Sequence, residues 1–170
     1  EGVKTGTLTI TDSGTITDLN VNIPSLDMYQ TSAQYLSIIL LSPYGTAVKL
    51  ADSYASNTNF DGDLYLTTLD DEASTGFWEE NPPYTGTYKP VESLSSFDGQ
   101  SITGEWSLVV HLQYNYSGTI DWQLIVETDN STAYDKPNWG TEYTASQISV
   151  SVEGVKTGTL TITDSGTITD

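Results

Sequence analysis

Short runs in which apolar and polar residues alternate fill this chain, and no other feature constrains its fold as strongly. Every second residue is apolar in Glu105–Leu112 and again in Ile120–Val126. A two-residue period is that of a β-strand with one buried face, so Trp106 and Trp122 are predicted to point into the core. The apolar spacing nowhere settles into the period of a helix. The sequence therefore predicts an all-β sandwich or jelly roll.

Further segments extend this prediction. Tyr35–Ser42 carries apolar residues on both faces, which is typical of a strand with neighbours on both sides. Thr5–Thr11 and Thr15–Ile23 flank the turn residues Asp12-Ser13-Gly14 and are predicted to pair as a hairpin. Another strand is predicted over Gln147–Val152.

The opening segment of the chain, Glu1–Asp18, recurs without a change as Glu153–Asp170. The offset of 152 residues is the length of a domain rather than of a solenoid repeat. We therefore predict a tandem array, the alternative being a duplication introduced by design. Residues 1–128 are predicted to form the sandwich, 129–152 a connector plus an added strand, and 153–170 the first strands of the next repeat.

The charge of the chain excludes several partners. Twenty-three acidic residues face five lysines, a net charge of −18. This field repels phosphate backbones and anionic lipids, so nucleic-acid and membrane-surface binding are not expected. No apolar run approaches the roughly 18 residues of a membrane span. We expect a secreted or cell-surface protein, and the absence of cysteine does not oppose this because a core of this size needs no disulfides.

Enzymatic activity is not expected, and no catalytic residue is predicted. The single histidine, His111, lies on the strand face opposite Trp106, and no nucleophile turn accompanies it. A zinc site lacks its cysteine and histidine ligands.

Calcium is the one predicted cofactor. Two acidic turns, Asp61-Gly62-Asp63 and Asp70-Asp71-Glu72, flank the predicted strand Leu64–Leu69. Ca²⁺ binds six to eight oxygen ligands, many of them carboxylates from such turns. The predicted ligands are Asp61, Asp63, Asp70, Asp71 and Glu72, and the alternative is two solvated acidic turns.

Aromatic residues suggest a possible ligand-binding loop. Trp78, Tyr84 and Tyr88 surround the proline-stiffened segment Glu79–Pro83. Such side chains suit stacking on sugar rings, but they equally suit packing over the edge of the sandwich, which we favour.

A series of short motifs follows in a fixed order. They are Gly14-Thr15-Ile16, Leu41-Ser42-Pro43-Tyr44-Gly45-Thr46, Asp70-Asp71-Glu72-Ala73, Gly86-Thr87-Tyr88-Lys89-Pro90, Leu94-Ser95-Ser96-Phe97-Asp98-Gly99, Gly104-Glu105-Trp106-Ser107-Leu108 and Gly118-Thr119-Ile120-Asp121-Trp122-Gln123-Leu124. In these motifs the chain resembles the P domain (Homo B domain) of proprotein convertases and its bacterial relatives, over about residues 5–128. The resemblance implies a jelly-roll, galactose-binding-like β-sandwich of about eight to ten strands.

The chain departs from the family pattern in three places. The Asp that usually follows the Gly-x-Trp strand is missing, and His111-Leu112-Gln113-Tyr114 stands there. The family's His-x-x-x-Asp-Leu segment is replaced by Pro24–Gln34, which contains no histidine, and this weakens the calcium prediction. Residues 129–152 have no counterpart in the family core.

These features predict a structural repeat module of a secreted or cell-surface stalk, adhesin or extracellular fibre. Its expected partners are neighbouring copies of the same repeat, linked by strand pairing. The alternatives are a module that binds a glycan or a surface protein, and a P domain that accompanies a secreted protease.

Overall fold

A computed structural model of the chain describes residues 2–28, 36–52, 64–76, 79, 84–112, 118–129, 141–144, 148–150 and 158–161. These residues form an all-β sandwich, as predicted, with eleven strands, a short 3-10 turn at Leu94–Phe97 and no α-helix. The strands are β1 (Gly2–Ile10), β2 (Ile16–Met28), β3 (Leu36–Leu41), β4 (Ala47–Asp52), β5 (Leu64–Leu69), β6 (Tyr84–Tyr88), β7 (Gly104–Leu112), β8 (Gly118–Thr128), β9 (Thr141–Thr144), β10 (Ile148–Val150) and β11 (Gly158–Thr161). No helix long and apolar enough to cross a membrane occurs in this part of the chain.

The strands form two sheets. The first has the order β11-β1-β7-β3-β4, and the second has the order β10-β8-β2-β5-β6, with β9 also pairing with β8. Among the first eight strands, β3–β4 and β5–β6 join neighbours in one sheet, whereas the other connections cross to the opposite sheet. Such crossing is typical of jelly-roll sandwiches. The predicted strand over Tyr35–Ser42 is β3, and it lies between β7 and β4, as its two apolar faces indicated.

The core lies between the sheets and is built from the inward rows of the strands. Trp106 and Trp122 are fully buried in one apolar cluster, so the predicted phase of β7 and β8 agrees with the structure. Phe97 packs edge-on against Trp106 with 5.2 Å between ring centroids. The indole Nε1 of Trp106 donates to the backbone oxygen of Ile102 at 2.9 Å, which satisfies a polar atom that would otherwise be costly to bury.

The predicted hairpin between β1 and β2 is wrong, because the two strands lie in different sheets. The corner between them bonds to distant segments instead. Ile102 N donates to Gly14 O at 3.0 Å, and Asp129 N donates to Thr15 O at 2.9 Å. A Cβ on Gly14 would lie 2.8 Å from Thr128 Cβ, so glycine permits this close approach.

Candidate functional site

The edge of β1 that faces away from β7 is the candidate site, and we call it the docking edge. β1 pairs with β7 over its whole length, from Gly2↔Leu112 to Ile10↔Gly104, without a bulge. A regular strand presents an equally regular row of N–H and C=O groups on its other side. Leu8 and Ile10 are buried, so β1 is anchored to the core while its docking edge faces outward within the sheet.

β11 lies along the docking edge and runs parallel to β1. Its partners are Gly6↔Gly158, Thr7↔Thr159, Leu8↔Leu160 and Thr9↔Thr161. Each pair joins a residue of Glu1–Asp18 to the identical residue of the second copy. The second copy therefore repeats the placement of the first, displaced by one strand spacing of about 4.8 Å.

The opposite end of the same sheet is closed by the chain itself. Val91 N donates to Leu50 O at 3.1 Å and Glu92 N to Lys49 O at 2.9 Å. The carboxylate of Glu92 accepts from Lys49 N at 2.8 Å. A register shift between Ile38 and Ile39 further interrupts the pairing of β3 with β4. Because Lys49 N, Lys49 O and Leu50 O already have partners, the middle of this edge is poorly suited to another strand.

The acidic turn Asp70-Asp71-Glu72 has a structural use. The Asp71 carboxylate accepts from Leu94 N at 3.0 Å, from Ser95 N at 2.9 Å and from the hydroxyl of Ser93. These are the free donors at the start of the 3-10 turn, which a carboxylate satisfies well. Asp71 therefore binds two distant parts of the chain together.

The calcium prediction stays a prediction. No group of three metal-ligating side chains comes together among the described residues. Asp61 and Asp63 lie outside those residues. Asp70, Asp71 and Glu72 do not form a site on their own.

Carboxylates of β2, of β8 and of the turns after β5 and after Leu94–Phe97 crowd near the start of β2. Burial raises the pKa of Asp18, and the charges of Glu127 and Asp70 raise it further. A hydrogen bond with Asp70 raises the pKa of Glu72, and burial with the charge of Asp71 raises that of Asp98. This corner is held together despite mutual repulsion, which costs stability when the groups are ionised.

The aromatic loop is only partly described, since Trp78 lies outside the described residues. The side chain of Tyr84 is 1% exposed and belongs to the core. Tyr88 packs edge-on against it, with 6.3 Å between ring centroids, and its hydroxyl donates to Thr85 O. Packing, the favoured alternative, is what the structure shows for these two tyrosines.

Sequence reasoning identified the repeated segment but missed what distinguishes the two sheet ends. The closing segment Val91–Glu92 carries no motif of its own, and its pairing with β4 depends on contacts distant in sequence. The sequence feature that could have indicated the docking edge is Gly2–Ile10 itself. This segment contains no proline, and the same residues recur unchanged near the end of the given sequence.

Comparisons with known proteins give a limited likeness. No family model matches the chain, and no curated protein matches it significantly. A crystal structure of Aeromonas sobria serine protease with a chaperone has 20% identity and a TM-score of 0.38, covering 88% of this chain and 23% of that one. The serine protease of Aeromonas sobria solved by itself has 15% identity and a TM-score of 0.35, covering 84% and 21%. The chain thus spans less than a quarter of the length of either protease.

Proposed function

We propose that this chain is a structural repeat module of a secreted or cell-surface stalk, adhesin or extracellular fibre, linked to neighbouring copies by strand pairing. The observation that carries the proposal is the in-register pairing of β1 with β11, in which Leu8 lies beside Leu160. Backbone pairing along a sheet edge is a general way for one chain segment to recognise another. The net charge of −18 adds to it, since such a surface keeps crowded modules soluble.

The closed edge at β4 gives this linkage a direction. Val91 and Glu92 already pair with Leu50 and Lys49, so the first sheet is extended at β1 and not at β4. A first sheet with one open end adds a partner strand at one place only. That property suits ordered linkage better than uncontrolled sheet growth, which needs two open edges.

We further propose that the module is a relative of the P domain, because the shared motifs contact one another. Asp71 holds the Leu94–Phe97 turn. Phe97 packs on Trp106. A Cβ on Gly104 would lie 2.6 Å from Pro43 Cβ, so the turn after β3 requires glycine at the start of β7. Motifs that interlock in this way would be retained together.

Solution scattering on chains of one, two and three repeats tests the structural role. A compact domain of this size has a diameter of about 40 Å. We expect the maximum dimension to increase by about one such diameter for each added repeat, because paired strands hold successive modules in a fixed relation. Growth with the square root of the repeat number would show flexible beads and would move the glycan- or protein-binding alternative ahead.

A further inference from the structure

The second copy pairs with β1 through the edge that corresponds to the one by which the first copy pairs with β7. In the order β11-β1-β7, β1 turns one edge towards β7, and β11 turns one edge towards β1. β11 is parallel to β1 and pairs with it residue for identical residue. The two segments therefore have the same orientation on the sheet, and the edge that β11 presents to β1 is chemically the edge that β1 presents to β7.

One copy cannot make both contacts at once. In an array, Glu153–Asp170 would also be the opening segment of the following repeat, where its β7-facing edge is needed for that repeat's own sheet. A copy docked on the preceding module is therefore missing from its own module, which is left with β7 as an open edge. Linkage by β11 and completion of the next module are mutually exclusive uses of one strand.

We propose that β7 is an acceptor strand that takes either copy, so that successive modules exchange their first strand. The docked segment Gly158–Thr161 moves by one strand spacing to take the place of Gly6–Thr9. The released segment Gly2–Ile10 then pairs with β7 of another module, in the same chain or in a second molecule. The partner is thus a second copy of this chain, recognised through its open β7 edge.

The energetics permit such an exchange because the two copies are identical. Leu8 is the register partner of Trp106, and both side chains are fully buried. A second copy at the same register offers the same residues to the same core, so the exchange changes little buried surface. The balance is then set by the connecting segments and by the number of available copies, as for other exchanges of identical elements.

In an array the exchange passes from module to module. When each module is completed by the copy that follows it, the linking chain becomes the short corner Thr11–Thr15. That corner is hydrogen-bonded to the module that contains its β2. Thr103 Oγ1 donates to Asp12 O, and Thr15 N donates to Asp129 Oδ1 at 2.8 Å. This form of the proposal rests on the proposed function, whereas the exchange on β7 does not require an array.

Disulfide trapping in the 170-residue chain tests the exchange directly, since the protein contains no cysteine. Thr7 is paired with both Ser107 and Thr159, so Ser107 and Thr159 lie two strand spacings apart, about 9.6 Å. A disulfide requires Cα atoms within about 7 Å. We expect the Ser107→Cys/Thr159→Cys chain to form a disulfide when it is oxidised slowly under native conditions.

Two matched pairs calibrate this result. Thr7→Cys/Ser107→Cys joins register partners and should oxidise readily. Ser107→Cys/Thr161→Cys is out of register by two residues and reports random collision. A 107–159 disulfide that forms well above the out-of-register pair, within one chain or between two, supports the exchange. Its absence while the register pair oxidises would overturn it.

A folding measurement keeps the proposal testable if the cysteine variants misfold. Leu8→Asp disrupts the first copy, and we expect it to retain a cooperative melt because the second copy replaces it. Leu160→Asp alone should do the same, whereas the double variant should lose the transition. A Leu8→Asp melt as defective as that of the double variant would contradict the exchange. Scattering that shows flexible beads would reject the stalk and leave both of these results unaffected.

Discussion

β4 and β1, the outermost strands that residues 1–128 contribute to the first sheet, differ in how the chain covers their outer edges. At β4, Val91 and Glu92 pair with the strand, and Lys49 forms an ion pair with Asp52 at 2.6 Å. At β1, nine residues run without a bulge, and within the described part of the chain four of them pair with a copy of the same segment. One edge is closed by a segment that occurs once in the chain, and the other by a repeated segment.

We expect the β4 edge to contribute to the stability of a single module and the β1 edge to contribute to assembly. A closed edge contributes to the fold of a single module, because its partners are always present in the same chain. Under the proposed exchange, a repeated edge strand can be replaced by its copy, so its contacts are not confined to the first copy. A buried residue at β4 and an equally buried one at β1 should therefore respond differently to substitution.

The largest expected effect comes from a matched pair of leucines at these two ends. Leu50 in β4 and Leu8 in β1 are both fully buried. Leu50→Ala should lower the free energy of unfolding by about 2–5 kcal/mol, the usual cost of such a cavity. Leu8→Ala should cost well below that range in the 170-residue chain, because the second copy offers an intact leucine. Urea unfolding measures both values.

A chain that ends before residue 153 is the control for this comparison. Without the second copy, Leu8→Ala should cost as much as Leu50→Ala. Equal losses for the two variants in the full 170-residue chain would show that β1 is as permanent as β4. The distinction between the two edges would then fail.

A smaller effect is expected at Glu92, which closes the β4 edge. Glu92→Ala removes the acceptor for Lys49 N and should cost about 1 kcal/mol, the typical contribution of one hydrogen bond. It should also free an edge N–H group and increase self-association. Urea unfolding and light scattering measure the two effects. Glu92→Gln retains an acceptor oxygen, so a Gln variant as unstable as the Ala variant would assign the effect to charge instead.

The sequence predicted the strands and their inward rows because alternation is a local property. Trp106, Trp122 and the central position of β3 follow from it. Which sheet a strand joins is not determined by its local sequence. Asp12–Gly14 has the composition of a hairpin turn, yet Gly14 bonds to Ile102, and β1 and β2 separate into different sheets.

The candidate site could be predicted only in part. Identical copies indicated strand pairing between repeats, but they did not indicate parallel pairing in register or a shared edge. The roles of Asp71 and Tyr84 also depended on tertiary contacts. The Asp71 carboxylate accepts from Leu94 N and Ser95 N, and the side chain of Tyr84 enters the core. Neither contact can be foreseen from the local sequence.

The smallest expected effect concerns Asp18, which lies in the part of the repeated segment that would stay in β2 under the proposed exchange. Burial and the charges of Glu127 and Asp70 raise its pKa above the ordinary value of 3.8. The folded state therefore binds this proton more tightly than the unfolded state. The resulting stabilisation is complete below pH 3.8 and is lost as the pH rises through the raised pKa, so at neutral pH the ionised Asp18 opposes folding.

Asp18→Asn should accordingly raise the free energy of unfolding at neutral pH, by less than about 1 kcal/mol because the side chain is half-buried and screened. The gain should disappear in acid, where the parent carboxyl is protonated as well. Glu105→Gln removes a charge from an exposed position on β7 and measures the general benefit of reducing a net charge of −18. If Asp18→Asn raises the free energy of unfolding more than Glu105→Gln does, and only at neutral pH, the crowding of carboxylates around Asp18 is the cause. If both variants raise the free energy of unfolding equally at every pH, the repulsion comes from the net charge of the whole surface. The fixed part of the repeat would then differ from its exchangeable part only in pairing.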